Sequence, residues 1–307
     1  MGKDKVKFVA YLSSVPPSKK NQHKSDLLKR FVGGVQAAGD EGVISSTPVL
    51  VNADVAFIQG WPHATGKTAP HNLFRKAVHN YQKSNSNRLL VVDSNLFNYR
   101  EKNEYSRYSF DGVFPNTGTY FWDNPDPAHW QSISRNTGII LKDWRQNGKH
   151  ILVCLQRNGG WSMGTYDIVD WAKKTIAKIQ QATDRPIILR PHPGDKSARQ
   201  YISDVSYLHN VKISELGSTL MDDLKDCWAV VNHNSSPAVG SAIEGYPIFV
   251  TDPEKSQAAA VANTDFRLIE NPAMPDRQAW IERIAMCHWS HKEIISGEAW
   301  RHMRTYV

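Results

Sequence analysis

The sequence is poor in cysteine, with three in 307 residues: Cys154, Cys227 and Cys287. They are far apart and lack the spacing of metal ligands, so they favour a reducing cytosol over a disulfide framework or a zinc centre. No apolar run approaches the roughly 18 residues of a membrane span, and the Lys-rich start lacks the apolar core of a signal peptide. We also find no internal repeat and no low-complexity segment. We therefore expect a cytoplasmic globular protein with no membrane partner.

The composition is that of an ordinary soluble protein, with 40% apolar and 22% charged residues. The length allows two domains of about 150 residues each. The formal net charge is +7, and residues 1–30 alone carry eight Lys or Arg against two Asp. A basic surface of this kind is either simply solvated or binds an acidic polymer, namely nucleic acid.

The stretch 227–252 has the pattern of a nucleotide-binding unit. Its apolar run Trp228–Val231 is typical of a buried parallel strand, and a polar tip with Ser235 follows. Ser236 suits a helix N-cap and Pro237 the first helical position, and the N–H groups of such a helix start attract phosphate. The pattern predicts half of a nucleotide-binding α/β domain. An ordinary βαβ unit with a capped helix remains the alternative.

Two further loops of the second half carry basic residues. The strand 185–190 runs into Pro191-His192-Pro193-Gly194, and the two prolines exclude His192 from a helix interior or a central strand. Arg190 and His192 at a strand's carboxyl end suit a diphosphate leaving group, which needs positive charge and a donor. After the strand 150–155, Gly159 lets the backbone approach a ligand and Arg157 can reach a phosphate.

The first half reads as an α/β domain of its own. Strands are predicted at 6–12, 54–61 and 88–92, and helices from Asp26 and from His71. Asp93 follows the third strand, where a carboxylate could take the proton of an attacking hydroxyl. A turn or N-capping Asp is the alternative. The aromatic segment 99–130, which contains Arg107, could stack on bases or sugars or form a core of irregular structure.

At these residues a resemblance appears. The RPHPG motif, followed about forty residues later by NSSPAVGSAIEGYPIFV, resembles the donor half of GT-B glycosyltransferases. It is closest to the pattern of capsule-polysaccharide-type and phage-encoded sugar transferases, over about residues 150–255. The segment VDSNLF is similar to their acidic E-D-G-F-L segment, although Ser-Asn replaces Gly here.

The resemblance implies an α/β fold of the GT-B class, two Rossmann-like domains facing across a cleft. Residues 1–147 would form the acceptor-side domain. Residues 148–307 would bind the nucleotide sugar, with the last helices packing back on the first domain. No DxD metal motif is evident, so the resemblance implies no metal and no cofactor beyond a UDP-sugar as donor substrate.

The implied site residues fall into three groups. Glu244, eight residues past Ser236 and roughly 12 Å along the helix, would bond the ribose hydroxyls. The donor-binding residues are Arg157, Asn158, Gly159, Arg190, His192, Ser235, Ser236 and Glu244. The catalytic residues are Asp93 as base with His192 and Arg190, and the alternative bases are His63 and Asp111, unless configuration is retained without a base.

The acceptor is predicted from size and charge. A small, basic chain resembles phage DNA glucosyltransferases, which transfer glucose to 5-hydroxymethylcytosine in double-stranded DNA after extruding the base. Such an enzyme would be a monomer in the host-cell cytoplasm. The predicted DNA contacts are Lys19, Lys20, Lys24, Lys67 and Arg107. The alternatives are a polysaccharide or small-glycan acceptor, a sugar epimerase of the same fold, and a non-catalytic nucleic-acid-binding protein with a nucleotide pocket.

Overall fold

The computed structural model describes residues 5–62, 68–100 and 104–307. The chain forms two compact units, each with its own sheet. Unit 1 comprises Met1–Asn95, Glu101–Trp130 and Glu282–Val307, and unit 2 comprises Leu96–Arg100 and Gln131–Ile281. The division into an acceptor-side domain of residues 1–147 and a nucleotide-sugar-binding domain of residues 148–307 stays a prediction.

Unit 1 contains a six-stranded mixed sheet. Its strands are β1 (Lys7–Tyr11), β2 (Glu41–Ser45), β3 (Val55–Gln59), β4 (Arg88–Asp93), β5 (Tyr105–Phe110) and β11 (His288–Ser290). In space they lie in the order β2-β1-β3-β4-β5-β11. The first four are parallel, whereas β5 runs antiparallel to β4 and β11 antiparallel to β5. The carboxyl ends of β1, β3 and β4 therefore lie at one edge of this sheet.

Helices cover this sheet as the apolar spacing predicts. The helices of this half and of the C-terminal segment are α1 (Gln22–Ala37), α2 (Pro70–Ser84), α3 (Pro127–Thr137), α8 (Gln278–Met286), α9 (His291–Ile295) and α10 (Glu298–Met303). The apolar face predicted for α1 is confirmed, since Leu27, Leu28, Phe31 and Val35 are all buried. The same helix contacts α9 and α10.

Part of the aromatic segment 99–130 lies in the hydrophobic core. Tyr105, Tyr108 and Phe110 lie on β5 and are buried, as are Tyr120 and Phe121 further along. The expectation of an irregular core is corrected in part, because residues 105–110 form a regular strand. These five rings are also unavailable for stacking on bases. The sequence concealed the strand because Ser106, Arg107 and Ser109 interrupt its apolar pattern.

Unit 2 contains a five-stranded, fully parallel sheet. Its strands are β6 (His150–Cys154), β7 (Ile187–Arg190), β8 (Val211–Ile213), β9 (Cys227–Asn232) and β10 (Ile248–Val250). Its helices are α4 (Ile168–Gln180), α5 (Ala198–Tyr201), α6 (Leu220–Asp223) and α7 (Pro237–Ile243). The spatial order is β10-β9-β6-β7-β8. The chain thus builds outward from β6 on one side and then crosses to the other, and ligands of open α/β sheets bind at such a reversal point.

None of the helices in the described part of the chain is both long enough and apolar enough to cross a membrane.

Candidate functional site

Three loops meet at the reversal point of the unit 2 sheet. Cys154, the last residue of β6, pairs in register with Arg190 of β7 and with Asn232 of β9. The three central strands therefore end level, and their loops leave from the same edge. We call residues 155–160, 190–195 and 232–236 the switch-point loops.

His192 is held as a neutral hydrogen-bond donor. The backbone N–H of Gly194 donates to His192 Nδ1 at 3.0 Å, so that nitrogen carries no proton and the ring hydrogen lies on Nε2. Burial lowers the pKa of His192, and the positive charges of Arg157 and Arg190 lower it further against the opposing effect of Asp195. At neutral pH the imidazole therefore presents an N–H without a charge of its own.

Arg157 and His192 both lie against Gly194. The Arg157 Nη2 donates to the Gly194 carbonyl at 2.5 Å. A Cβ at position 194 would lie 2.6 Å from that Nη2 and 3.1 Å from His192 Cε1. Only glycine lets the two side chains approach so closely, a role for Gly194 that sequence reasoning did not identify. The structure thus brings together two of the predicted donor residues.

Asn158 ties its loop to neighbouring elements. Its backbone N–H donates to Asp195 Oδ2 at 3.2 Å, and its side-chain oxygen accepts from Ile168 N at 3.3 Å. Asp195 Oδ2 also accepts from the Tyr201 hydroxyl at 2.6 Å. The adjacent Gly159 has φ of 60°, a left-handed conformation that glycine adopts without strain. Asn158 and Gly159 therefore shape the loop that carries Arg157.

The Arg190 guanidinium binds the turn before α6 and not His192. Its Nη1 donates to the carbonyls of Ser218 at 2.9 Å and Thr219 at 3.1 Å, and it forms an ion pair with Asp223. The buried Asp223 carboxylate also accepts from Ser214 Oγ at 2.9 Å. In this arrangement Arg190 fastens the turn before α6 to the end of β7.

Gln156 and Asn234 join two of the switch-point loops, and sequence reasoning missed both. Asn234 N donates to Gln156 Oε1 at 3.1 Å, and Gln156 Nε2 donates to Asn234 Oδ1 at 2.9 Å. Asn234 Nδ2 also donates to Asp252 Oδ2 at 3.0 Å. Both amides are buried. The available signal was that each is a polar residue directly after a buried strand.

The tip of β9 carries polar atoms without partners. Asn232 Oδ1 and Ser235 Oγ are buried, and neither has a hydrogen-bond partner within the described residues. Leaving such an atom unsatisfied costs about 1–3 kcal/mol, so the tip of β9 carries a local energetic cost.

The start of α7 corrects one expectation. Pro237 occupies the first helical position as predicted, but the Ser236 side chain makes no capping bond. Its backbone is already helical, with φ −58° and ψ −26°, whereas a capping residue typically adopts an extended conformation. The Ser236 hydroxyl is therefore not committed to the helix.

Glu244 is enclosed by two cations. Its Oε1 accepts from Arg100 Nε at 2.5 Å, and its Oε2 pairs with Lys142. Burial would raise the pKa of Glu244, but the hydrogen bonds from Arg100 and Lys142 outweigh it and the pKa is lowered. Both carboxylate oxygens are engaged, so the structure gives Glu244 an ion-pair role in addition to the ribose contact predicted for it.

A pocket of 390 Å³ lies beside the β9 tip. Tyr166, Trp171, Lys174, His233 and Thr251 are among its lining residues. His233 Nδ1 lies 2.7 Å from Thr251 Oγ1, and burial lowers the pKa of this histidine. The volume is within the range of small-molecule sites and is sufficient for a ring-sized group.

In unit 1, Asp93 ends β4 as predicted and is paired. Its Oδ2 accepts from Arg107 Nη2 at 2.8 Å and its Oδ1 from Ser94 N at 2.8 Å. The side chain of Asp93 is 22% exposed, against 10% for Arg107. Arg107 is thus enclosed beside Asp93, a position that does not favour contact with a DNA phosphate. Asp111, the alternative base, pairs with Arg88 at the opposite edge of the sheet.

The predicted DNA-binding lysines differ in exposure. Lys19 and Lys20 are exposed on the 3-10 turn before α1, whereas Lys24 in the first turn of α1 is partly buried. Lys67 and the alternative base His63 lie outside the described residues.

Among residues 5–62, 68–100 and 104–307, no cluster of three or more His, Cys, Asp or Glu could hold a metal ion.

Comparison with known proteins identifies the fold. No family model and no curated protein matches the chain. The Thermosulfurimonas dismutans KpsC beta Kdo 2,4 transferase is similar with a TM-score of 0.55 and 11% identity, covering 87% of this chain and 90% of that one. The T. dismutans KpsC beta Kdo 2,7 transferase has a TM-score of 0.56 and 13% identity, covering 95% of this chain and 98% of that one. A Methanocaldococcus jannaschii UDP-GlcNAc 2-epimerase, in complex with UDP-GlcNAc and UDP, has a TM-score of 0.37 and 12% identity, covering 95% of this chain and 83% of that one. The chain therefore has an α/β fold of the GT-B type, as its sequence predicts.

Proposed function

We propose that this chain is a nucleotide-sugar-dependent glycosyltransferase whose donor diphosphate binds at the switch-point loops of unit 2. The observation that carries the proposal is His192, whose Nδ1 is occupied by the Gly194 N–H, beside the guanidinium of Arg157. A glycosidic bond to a diphosphate breaks with negative charge developing on the departing phosphate oxygens. A fixed cation and a preorganised N–H stabilise that charge without a metal.

The other polar groups of these loops support the same ligand. Ser235 Oγ lacks a partner among the described residues, and the Ser236 hydroxyl does not cap its helix. The Ser236 hydroxyl is therefore available to a phosphate oxygen. The pocket beside His233 would accept a ring of the donor, either base or sugar. The resemblance of the RPHPG and NSSPAVGSAIEGYPIFV segments to GT-B transferases favours a uridine diphosphate sugar, glucose above all.

We propose Asp93 as the group that takes the proton of the acceptor hydroxyl. Its carboxylate is partly exposed, and Arg107 fixes its orientation through Oδ2. A base of this kind accepts a proton in the transition state, which raises the nucleophilicity of the attacking oxygen.

A glycan is our first candidate acceptor. Support comes from the T. dismutans KpsC transferases, whose names describe transfer of the sugar Kdo and whose fold this chain shares. The second candidate is hydroxymethylated DNA, which the exposed Lys19 and Lys20 favour.

The test is incubation of the full chain with a panel of nucleotide sugars, including UDP-glucose and an activated Kdo. Each would be tried alone, with glycan acceptors and with hydroxymethylcytosine-containing duplex DNA, and products identified by mass spectrometry. We expect slow donor hydrolysis alone and a sugar adduct on one acceptor class. Release of an epimerised donor would establish the epimerase instead. Nucleotide binding with neither hydrolysis nor transfer would establish the non-catalytic binder.

A further inference from the structure

Two long helices of unit 1 begin uncapped at the same sheet edge. The 16-residue α1 follows β1, and the 15-residue α2 follows β3. No side chain caps either N-terminus, and neither first turn contains an acidic residue. Asn21, the residue before α1, makes no capping bond through its side-chain oxygen, and its Nδ2 donates to Pro16 O at 3.0 Å and Ser18 Oγ at 2.9 Å. The N–H groups of Gln22 and Asn72 already donate to Lys19 O and Ala69 O, so what each helix start offers an anion is chiefly the positive end of its dipole.

Basic residues occupy these helix starts instead. Lys24 lies in the first turn of α1, His71 in the first turn of α2, and Arg75 one turn further along α2. Cations near a helix N-terminus are unfavourable by themselves, because the helix dipole repels them. A bound anion would remove that conflict at both helices.

Arg75 is a buried cation without a counterion among the residues that the structure describes. Its side chain is 7% exposed, and its Nε and Nη2 donate to Ser14 O at 2.8 Å and to Gln59 Oε1 at 3.1 Å. Its Nη1 makes no hydrogen bond or ion pair with any described residue. That nitrogen lies at the end of β3, 3.1 Å from where a Cβ of Gly60 would stand. Burying a charge without a partner is costly, so the site favours an added anion.

The positive charge of Arg75 acts on both Lys24 and His71. Burial lowers the pKa of Arg75 to about 10, and Asp93 is the charge that raises it. Burial and then Arg75 lower the pKa of Lys24, and burial, Arg75 and Lys24 together lower that of His71. Asp93 is already bonded to Arg107. Lys24 and Arg75 are two cations, and the carboxylate near them, Asp93, is already shared with Arg107. The site therefore has an excess of positive charge.

We propose that Lys24, His71 and Arg75, with the uncapped starts of α1 and α2, bind one compact anionic group, a carboxylate or phosphate monoester, carried by the acceptor. This inference rests on the proposed function and makes the acceptor an acidic glycan. A guanidinium presents paired donors that fit the two oxygens of such a group. The burial of Arg75 favours a compact terminal group over the backbone of a duplex, which requires exposed cations such as Lys19 and Lys20.

The test is direct binding of two small probes, glucuronate and inorganic phosphate, to the full chain by calorimetry, with glucose as the uncharged comparison. We expect both anions to bind and glucose not to bind. Lys24→Gln and Arg75→Met should each weaken glucuronate binding at least tenfold. Arg30→Gln, which removes an exposed cation of the same helix, should leave it unchanged. Since phosphate can also occupy the donor site, the series is repeated in His192→Ala.

The outcomes separate the two proposals. Glucuronate binding that survives in folded Lys24→Gln and in folded Arg75→Met would overturn the inference, and Arg75→Gln, which also removes the charge, keeps the test valid if Arg75→Met does not fold. Wild-type donor hydrolysis without any anion binding would overturn the inference alone. Anion binding that needs Lys24 and Arg75, without turnover of any nucleotide sugar, would support the anion site and contradict the proposed transferase function. Duplex DNA that displaces glucuronate would overturn the choice of a glycan.

Discussion

His192 and Arg190 are neighbours in the sequence with different surroundings. The imidazole presents its Nε2–H near Arg157, whereas the Arg190 guanidinium is bound to the turn at 218–219 and to Asp223. We expect His192→Ala to lower transfer at least about tenfold, roughly 1.4 kcal/mol, because it removes a donor to the leaving group. His209→Ala, an exposed histidine of the same unit, is the matched control and should behave as wild type.

Arg190→Ala should act first on stability. It leaves the buried Asp223 carboxylate without its cation, and removing one partner of a buried pair costs about 3–5 kcal/mol. Urea unfolding of Arg190→Ala beside His192→Ala measures the difference. A stable Arg190→Ala protein that no longer transfers sugar would instead place Arg190 on the diphosphate, as its sequence position indicates.

Asp93→Asn tests the proposed base. The amide keeps the size of the side chain but cannot take a proton, so most transfer should be lost while calorimetric donor binding persists. Normal transfer by this variant would move the base elsewhere, to His63 or Asp111, or indicate retention without one.

The contact between α1 and the C-terminal helices depends on one glycine. A Cβ at Gly34 would lie 1.9 Å from the Ile294 carbonyl oxygen, whereas one at Gly33 meets nothing within 4 Å. We expect Gly34→Ala to destabilise unit 1 by several times the roughly 1 kcal/mol that Gly33→Ala adds through helix propensity. Thermal unfolding of the two variants gives opposite shifts if this packing is correct, and equal shifts would contradict it.

The elements were predicted unevenly. The parallel strands β1, β3, β4, β6, β7 and β9 and the helices α1 and α2 were found because each has a recognisable apolar pattern. Three strands were not, namely β2, β5 and β11. The three-residue β11 is a strand only because it pairs with β5, and that pairing joins segments about 180 residues apart. Local periodicity cannot report such a pairing.

Buried histidines should make the whole molecule sensitive to acid. Burial lowers the pKa of His288 to about 3, and the pKa values of His150 and His233 are lowered for the same reason. The unfolded chain binds these protons near pH 6.5 and the folded chain does not. The stability contribution is therefore fully present above pH 6.5 and falls with acidification.

For His288 the free energy of unfolding should fall by up to about 1.4 kcal/mol per pH unit between pH 6.5 and pH 3. Urea titrations from pH 7 to pH 5 measure this slope. His288→Asn should flatten it by about one proton, even if its absolute stability is lower. An unchanged slope would show that His288 is protonated in the folded protein.

The net charge of +7 permits a test of the DNA acceptor. Each phosphate contact contributes about 0.9 to the slope of log affinity against log salt concentration. Changing the exposed Lys19 and Lys20 together to Ala should flatten that slope by roughly two units, for all sequences alike, and leave donor binding intact. Salt-independent binding to duplex DNA, or none at micromolar protein in low salt, would remove nucleic acid as acceptor.

The sequence by itself determined the fold class and which candidate residues stand at strand ends. Strand periods, glycines and prolines are local properties, and they were sufficient to place His192, Ser235 and Asp93 at strand ends. The partners of the charged side chains were decided only by tertiary structure. Arg190 meets Asp223 and Glu244 meets Arg100 across 33 and 144 residues. Ion pairing depends on which side chains the packed sheet brings together, and a local sequence pattern does not predict contacts between residues so far apart in the chain.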